Sequence, residues 1–329
     1  MPQSVFERYT VADAHAGLPL SAALKRLRPE LSWSQVRRLI ANRHVEIGDN
    51  LCVDEGRKLN AGESLKVWRQ PRRPAPHDAD VKIRYLDAHL VVVEKPAGMI
   101  TLRHAAQRLL PQRRRDAQPT LDEAVRRALV RRLGIRGPAD AGRRRAVTAL
   151  RAVHRLDRDT SGLMLFARTV AAQRVLVQMF RKHELHRVYL AIVHGHVTAQ
   201  TFTSSLVRDR GDGRRGSTHL PEVGKRAVTH VRPLEHLDGY TLLECRLETG
   251  RTHQIRIHLA EAGHFVCGEK VYRQRLHGQP LEDRSGAQRQ ALHAAELGFT
   301  HPITGQPLRF EMPLPADMGR LLVKLRGKK

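Results

Sequence analysis

The residues best suited to chemistry lie in one run, His154-Arg155-Leu156-Asp157-Arg158-Asp159-Thr160-Ser161-Gly162-Leu163. Asp157 stands there between two arginines. A carboxylate beside cations keeps a low pKa and stays ionised. The surrounding chain carries 58 Lys and Arg against 33 Asp and Glu, a formal net charge of +25. Such a surface attracts polyanions, so this acid is expected to act chemically on its partner and not to draw it in. Asp159, two residues on, shares a face with Asp157 if the run is extended. Paired carboxylates can do general acid–base work at a glycosidic bond. The role expected for Asp159 is instead structural, bonding the turn at Thr160-Ser161-Gly162.

Three further segments carry candidate chemistry. In Arg187-Val188-Tyr189-Leu190-Ala191-Ile192-Val193-His194-Gly195, period two puts Tyr189, Ala191 and Val193 on one strand face. Thr249-Gly250-Arg251-Thr252-His253-Gln254-Ile255-Arg256-Ile257-His258-Leu259 concentrates cationic and polar groups. The third runs from Leu292 to Gly305 and continues to Phe310 and Met312-Pro313-Leu314-Pro315.

Together these segments resemble the pseudouridine synthases that modify ribosomal and transfer RNA, specifically the large-subunit ribosomal RNA group. The likeness runs from Val81 to Asp317. It includes Lys95-Pro96-Ala97-Gly98 after a strand, and the helix begun by Thr120-Leu121. The resemblance implies that Asp157 is the essential catalytic residue and that Tyr189 packs against the target base. Arg187 stands where the family usually has lysine. By family position Arg256 pairs with Asp157, and a guanidinium can grip a carboxylate in two-pronged fashion. Arg251, His253 and Gln254 are then candidates to contact or support the RNA backbone. Ile255 and Leu259 would line the base pocket, and Arg155 would fill the stack vacated by a flipped base.

The implied reaction is isomerisation of uridine to pseudouridine in RNA, on a base flipped out of its stack. Asp157 would either add to C1′ or remove a ribose proton. Neither metal nor organic cofactor is expected. Large-subunit ribosomal RNA is the first expected substrate, and transfer RNA is the alternative. A non-catalytic RNA-binding or ribosome-assembly factor would be expected to lack Asp157, Tyr189 or Arg256. A base-removing glycosylase would release free uracil.

Bulk composition agrees with an RNA partner. Hydrophobic residues make up 41%, ample for a core, and aromatics only 4%, little for broad stacking platforms. There is no apolar run of about eighteen residues and no signal-peptide pattern, so a cytoplasmic protein off the membrane is expected, acting as a monomer. Cys52, Cys245 and Cys267 lack metal or disulfide spacing. The histidines, His183/His186, His194/His196 and His253/His258/His264 among them, form no recognised ligand pattern.

The elements that must position these residues are legible in outline. Leu20, Ala23, Leu24 and Leu27 recur at helical spacing. Ser32 and Gln35 form a capping box before a helix carrying Val36, Leu39 and Ile40 inward. Arg37, Arg38 and Arg43 are left for phosphate. Strands at Val45-Glu46-Ile47 and Leu65-Lys66-Val67 complete residues 1–70, which resemble the alpha-L RNA-binding domain. Gly17-Leu18-Pro19-Leu20 departs from that family's usual start.

A linker at 71–80 leads to a catalytic domain at 81–318. Strands are expected at Ile83–Leu86, Leu90–Val93 and Met164–Ala167. An arginine-rich insertion spans about 103–151, with clusters at Arg113–Arg115 and Arg143–Arg145. Residues 207–217 read as a mobile loop and 319–329 as a basic tail. The fold class is α+β, with a mainly antiparallel mixed sheet and a small N-terminal RNA-binding domain.

Overall fold

The computed structural model describes residues 6–48, 50–71, 76, 78–103, 119–135, 142, 145, 147–218, 220, 222–273, 279 and 281–327. They fall into two compact units, one within residues 1–75 and one from residue 76 onward. The clusters Arg113–Arg115 and Arg143–Arg144 lie outside the described residues.

The small unit packs two helices on a four-stranded antiparallel sheet. Its elements are β1 (Phe6–Thr10), α1 (Leu20–Leu27), α2 (Trp33–Ala41), β2 (Val45–Ile47), β3 (Asn50–Leu51) and β4 (Ser64–Trp68), with strand order β1-β4-β2-β3. The capping box forms as the sequence demands. The Gln35 backbone N–H donates to Ser32 Oγ at 3.2 Å, and the Ser32 N–H donates to Gln35 Oε1 at 2.6 Å. Leu20, Ala23, Leu24, Val36 and Ile40 close a core with Val45, Leu65 and Val67.

The second unit is built on an eleven-stranded sheet. In chain order it comprises β5 (Lys82–Leu86), β6 (Leu90–Lys95), α3 (Leu121–Arg132), β7 (Arg151–Ala152), β8 (Ser161–Ala167), α4 (Val170–Lys182), β9 (His186–His194) and β10 (Gln200–Val207). There follow β11 (Gly216–Thr218), β12 (Lys225–Leu237), β13 (Tyr240–Leu247), α5 (Gln254–Glu261), β14 (Leu292–Thr300), β15 (Pro307–Glu311) and α6 (Ala316–Arg326). The strand order is β11-β10-β12-β13-β9-β14-β8-β6-β5, with β15 added to β14 and β7 to β8. Every pairing is antiparallel except β8 with β14, which makes the sheet mixed.

Strand period sorts the core onto two faces. From β6, Val91 and Val93 join Met164 and Phe166 of β8 in one cluster, which also takes Leu121, Val125 and Leu129 of α3. The alternate residues Leu90, Val92, Leu163 and Leu165 face Ala172, Leu176 and Met179 of α4. A strand covered on both faces reads as an unbroken apolar run, which is why Leu163–Ala167 shows no polar alternation.

Three expectations need correction. Residues 319–326 are no tail: α6 buries Met318, Leu321, Leu322 and Leu325 in the main core, an apolar spacing masked by the surrounding basic residues. The linker ends sooner than 80, because Asp78 is ion-paired with Arg127 of α3 at 2.5 Å. The stretch 207–217 is a built loop. Asp209 Oδ1 accepts the N–H groups of Gly211 and Gly213, and the Arg210 side chain is buried against Asp212 and Glu261.

Candidate active site

The parallel step in the sheet positions the site. Ala294 of β14 is registered with Gly162 of β8 on one side and with Tyr189 of β9 on the other. Adjacent strands lie about 4.8 Å apart, so the loop entering β8 and the Tyr189 side of β9 stand about 10 Å apart across one strand. Gly162 permits this closeness. Its φ is +127°, and a Cβ there would lie 2.3 Å from the Ala294 carbonyl oxygen.

The HRLD run is a loop and turn held by many bonds. The Thr160 N–H donates to the Asp157 carbonyl at 3.2 Å, closing a turn. Lys95, fully buried at the end of β6, donates from Nζ to the carbonyls of Pro96, Arg158 and Thr160 at 3.1, 2.8 and 2.7 Å. Burial pushes the Lys95 ammonium down to about 7, against the pull of Asp159 and Asp157. Gln290 Nε2 donates to Thr160 Oγ1 at 2.7 Å, and Thr101 Oγ1 donates to the Leu156 carbonyl at 2.8 Å. Arg289 donates to the Asp159 carbonyl and grips Asp317 of α6. This mesh leaves the Asp157 side chain little freedom.

Asp157 meets Arg256 as expected, but through a single bond. Arg256 Nη1 donates to Asp157 Oδ2 at 2.8 Å. The two-pronged grip goes elsewhere: Arg256 Nε and Nη2 donate to Glu269 Oε2 and Oε1 at 2.6 and 2.7 Å. Glu269 Oε1 also accepts the backbone N–H groups of Lys270 and Val271, both at 2.9 Å. The Glu269 side chain is wholly buried, and that of Arg256 is 7% exposed, whereas Asp157 retains 18%. The aspartate is therefore the reachable end of the chain Glu269–Arg256–Asp157. Burial pushes its pKa up, but Arg256, Arg155 and, when charged, His253 outweigh it and hold the carboxyl below its usual range. Asp157 is ionised at neutral pH.

His253 flanks the other carboxylate oxygen, its Nε2 3.6 Å from Asp157 Oδ1. Its Nδ1 lies 2.7 Å from the Tyr272 hydroxyl. The Arg256 guanidinium sits over the Tyr272 ring, 5.1 Å from its centroid. Burial lowers the His253 pKa, so the ring is neutral near pH 7. Tyr189 is buried in the main cluster with Ile255. Its hydroxyl has no hydrogen-bond partner among the described residues, and the phenol is pushed up by burial, with Asp157 adding to the shift. Arg155 is exposed, and its charge acts on Asp157.

The TGRTHQIRIH segment leads into the helix α5, which begins at Gln254, and that placement bears on several expectations. Gln254 makes no outward contact: it is buried, accepts from Thr249 Oγ1 and the Arg251 N–H, and donates to the Val228 carbonyl and Thr229 Oγ1. Leu259 has no exposed surface and lies in the core, and Ile255, 4% exposed, shares the cluster that holds Tyr189. Arg251 stays exposed, its Nε donating to the Arg226 carbonyl. Asp159 does not bond the following turn; its carboxylate takes Arg158 Nε and Nη2.

In the small unit, Arg37 and Arg38 are exposed on α2, Arg37 in a loose pair with Glu55 at 3.3 Å. Arg43 is half-buried beyond the end of α2, in left-handed backbone at φ +66°. Glu269 and Tyr272 were invisible to motif reasoning, because Cys267-Gly268-Glu269-Lys270 has no chemical pattern of its own. Lys95 carried two signals, a lysine at the end of an apolar strand and its place in the Lys95-Pro96-Ala97-Gly98 turn that the resemblance includes.

A family model described as RNA pseudouridylate synthase matches residues 89–261. The chain is 37% identical over 326 residues to ribosomal large subunit pseudouridine synthase D of Zymomonas mobilis subsp. mobilis, covering 97% of each chain. It is 32% identical to the protein of that name from Escherichia coli strain K12, covering 99% of this chain and 96% of the relative. The fold is similar to that of human RNA pseudouridylate synthase domain containing 4, with a TM-score of 0.55 at 22% identity, over 74% of this chain and 92% of that one.

Proposed function

Because the chain belongs to the RNA pseudouridylate synthase family, we propose that it isomerises uridine to pseudouridine in large-subunit ribosomal RNA, with Asp157 as the catalytic residue. The target follows the names of its relatives, ribosomal large subunit pseudouridine synthases. The observation that carries the role of Asp157 is its 2.8 Å bond to a buried arginine whose fork is already occupied. One carboxylate oxygen is thereby fixed, and the other remains at the accessible end of the network.

The reaction breaks the N1–C1′ bond, turns the uracil and joins C5 to C1′. The C5 proton leaves and N1 takes one up. A stacked uridine offers none of these atoms, so it must leave the helix. Arg155, exposed and close enough to Asp157 to act on its charge, would occupy the vacated stack. Tyr189 would meet the base from β9. Asp157, ionised and fixed in rotamer, would act at the ribose by adding to C1′ or by removing the C2′ proton.

Net charge of +25 supplies phosphate attraction that positions RNA without specifying sequence. Residues 1–70, with Arg37 and Arg38 exposed on α2, would act as the alpha-L-type capture domain. No helix among the described residues is long and apolar enough to cross a membrane, and the reading includes a monomer working in the cytoplasm.

Tritium release from C5-labelled uridine in ribosomal RNA tests the reading, comparing the wild type with Asp157→Asn. Release by the wild type alone is expected. Silence on naked ribosomal RNA, ribosomal precursors and transfer RNA would reject it.

A further inference from the structure

Arg187 is a cation with no carboxylate partner among the described residues. It lies on β9, 8% exposed. Its Nη2 donates to the backbone carbonyls of Leu247 and Glu248 at 3.3 and 3.2 Å, and its guanidinium stands 5.5 Å from the Phe180 centroid. Nε is buried without a partner, and Nη1 has none among the described residues. Burying an unpaired charge is costly, and two carbonyls and a ring face offset only part of that. The Glu248 carboxylate does not help: it faces His230 at 2.8 Å and Arg226 at 3.8 Å.

Two features describe the surroundings of the guanidinium. A Cβ on Gly250 would come within 2.9 Å of Arg187 Nη1, so this glycine opens the space into which Nη1 projects. Next to it, Arg251 is exposed. His183, the cap of α4, feels Arg187, Arg251 and Arg226 together, so these charges gather in one place. Arg187 also shares its strand face with Tyr189, two residues and about 7 Å away along β9.

We propose that Arg187, with Arg251 beside it and Gly250 beneath it, forms a phosphate subsite for the RNA backbone next to the flipped uridine. The inference rests on the RNA-modifying reading above. It assigns to Arg187 a contact with the ligand, where the bland alternative is an internal brace for the loop after β13.

The test reads binding and turnover separately. Affinity of the full chain for an unmodified large-subunit ribosomal RNA transcript is measured over a series of potassium chloride concentrations, for wild type, Arg187→Met, Arg187→Lys and Gly250→Ala. Each lost phosphate contact reduces the slope of log affinity on log salt by about 0.7 on a single strand. Arg187→Met is expected to lose that increment and to raise KM about tenfold, with single-turnover rate changed less than about threefold. Arg187→Lys keeps the charge and the slope. Gly250→Ala displaces Nη1 and lowers the slope with the arginine still present, which keeps the test valid if the methionine variant does not fold.

An unchanged slope in the folded methionine variant, or in Gly250→Ala if the methionine variant does not fold, would overturn the subsite and leave Arg187 a brace. The slope comes from binding alone. A wild type that binds the transcript but releases no tritium from any RNA would defeat the catalytic reading and not this one.

Discussion

Arg256 gives its fork to Glu269 and a single N–H to Asp157. The bonds at 2.6 and 2.7 Å hold the guanidinium plane, and the bond at 2.8 Å hands that fixed geometry to the carboxylate. Glu269 is itself pinned by backbone N–H groups. Its bonds reach Asp157 only through Arg256, so any effect on the reaction would be one of positioning.

Glu269→Gln should therefore separate positioning from binding. Loss of one fork bond lets Arg256 rotate, and a misplacement of about 1 Å can cost about a hundredfold in rate. We expect kcat to fall about that much with KM within about threefold, and stability to drop by about 2 kcal/mol because a buried cation keeps only one of its two carboxylates. Single-turnover tritium release and urea unfolding measure the two effects. A lower stability with normal kcat would make Glu269 purely structural.

Asp157→Asn should abolish turnover while RNA affinity stays within about tenfold, since the asparagine keeps an oxygen for Arg256 and the rest of the surface is untouched. Filter binding beside tritium release checks this. Collapse of binding in a folded variant would mean that Asp157 orders the RNA site without acting on the sugar.

Gly162→Ala tests the close approach of β8 to β14. The added Cβ falls 2.3 Å from the Ala294 carbonyl oxygen, at a backbone φ of +127°. Backbone must move, at an expected cost of more than about 2 kcal/mol, and activity should fall with the displaced HRLD loop. Thermal unfolding at wild-type temperature would contradict this packing.

Three histidines make stability depend on acid. Burial pushes His258 and His293 down to about 4 and His154 to about 3. Each is neutral in the folded chain where the unfolded chain takes up a proton, near pH 6.5. Their contribution is thus fully present above about pH 6.5 and is lost as pH falls toward 4. Near pH 5 unfolding should bind up to about three extra protons. Urea midpoints at pH 7 and pH 5 report it, and equal midpoints would show that these rings charge without penalty.

Much was legible in the sequence by itself. Local rules sufficed wherever the interaction is local. The capping box of Ser32 and Gln35 spans three residues, and the strands at Leu90 and Met164 declare themselves by β-branched and apolar runs. Asp157 stood out by its charge context, and the pattern around it carried the family. The identities of Tyr189 and Arg256 came with that pattern.

What only the tertiary structure decided is partnership. Asp157 and Arg256 are 99 residues apart, and Arg256 and Glu269 are separated by 13 across a helix and a turn. No periodicity links them, so the sequence offered the pair Arg256–Asp157 without saying where the fork would go. It could not tell that Gln254 and Leu259 point into the core, because α5 is buried around most of its circumference and shows no amphipathic stripe. It offered Arg187 only as an arginine where the resembled family usually has lysine. A cation's need for an anion becomes visible only once burial, distance and missing partners are known, since desolvation is a property of the packed chain and of no segment within it.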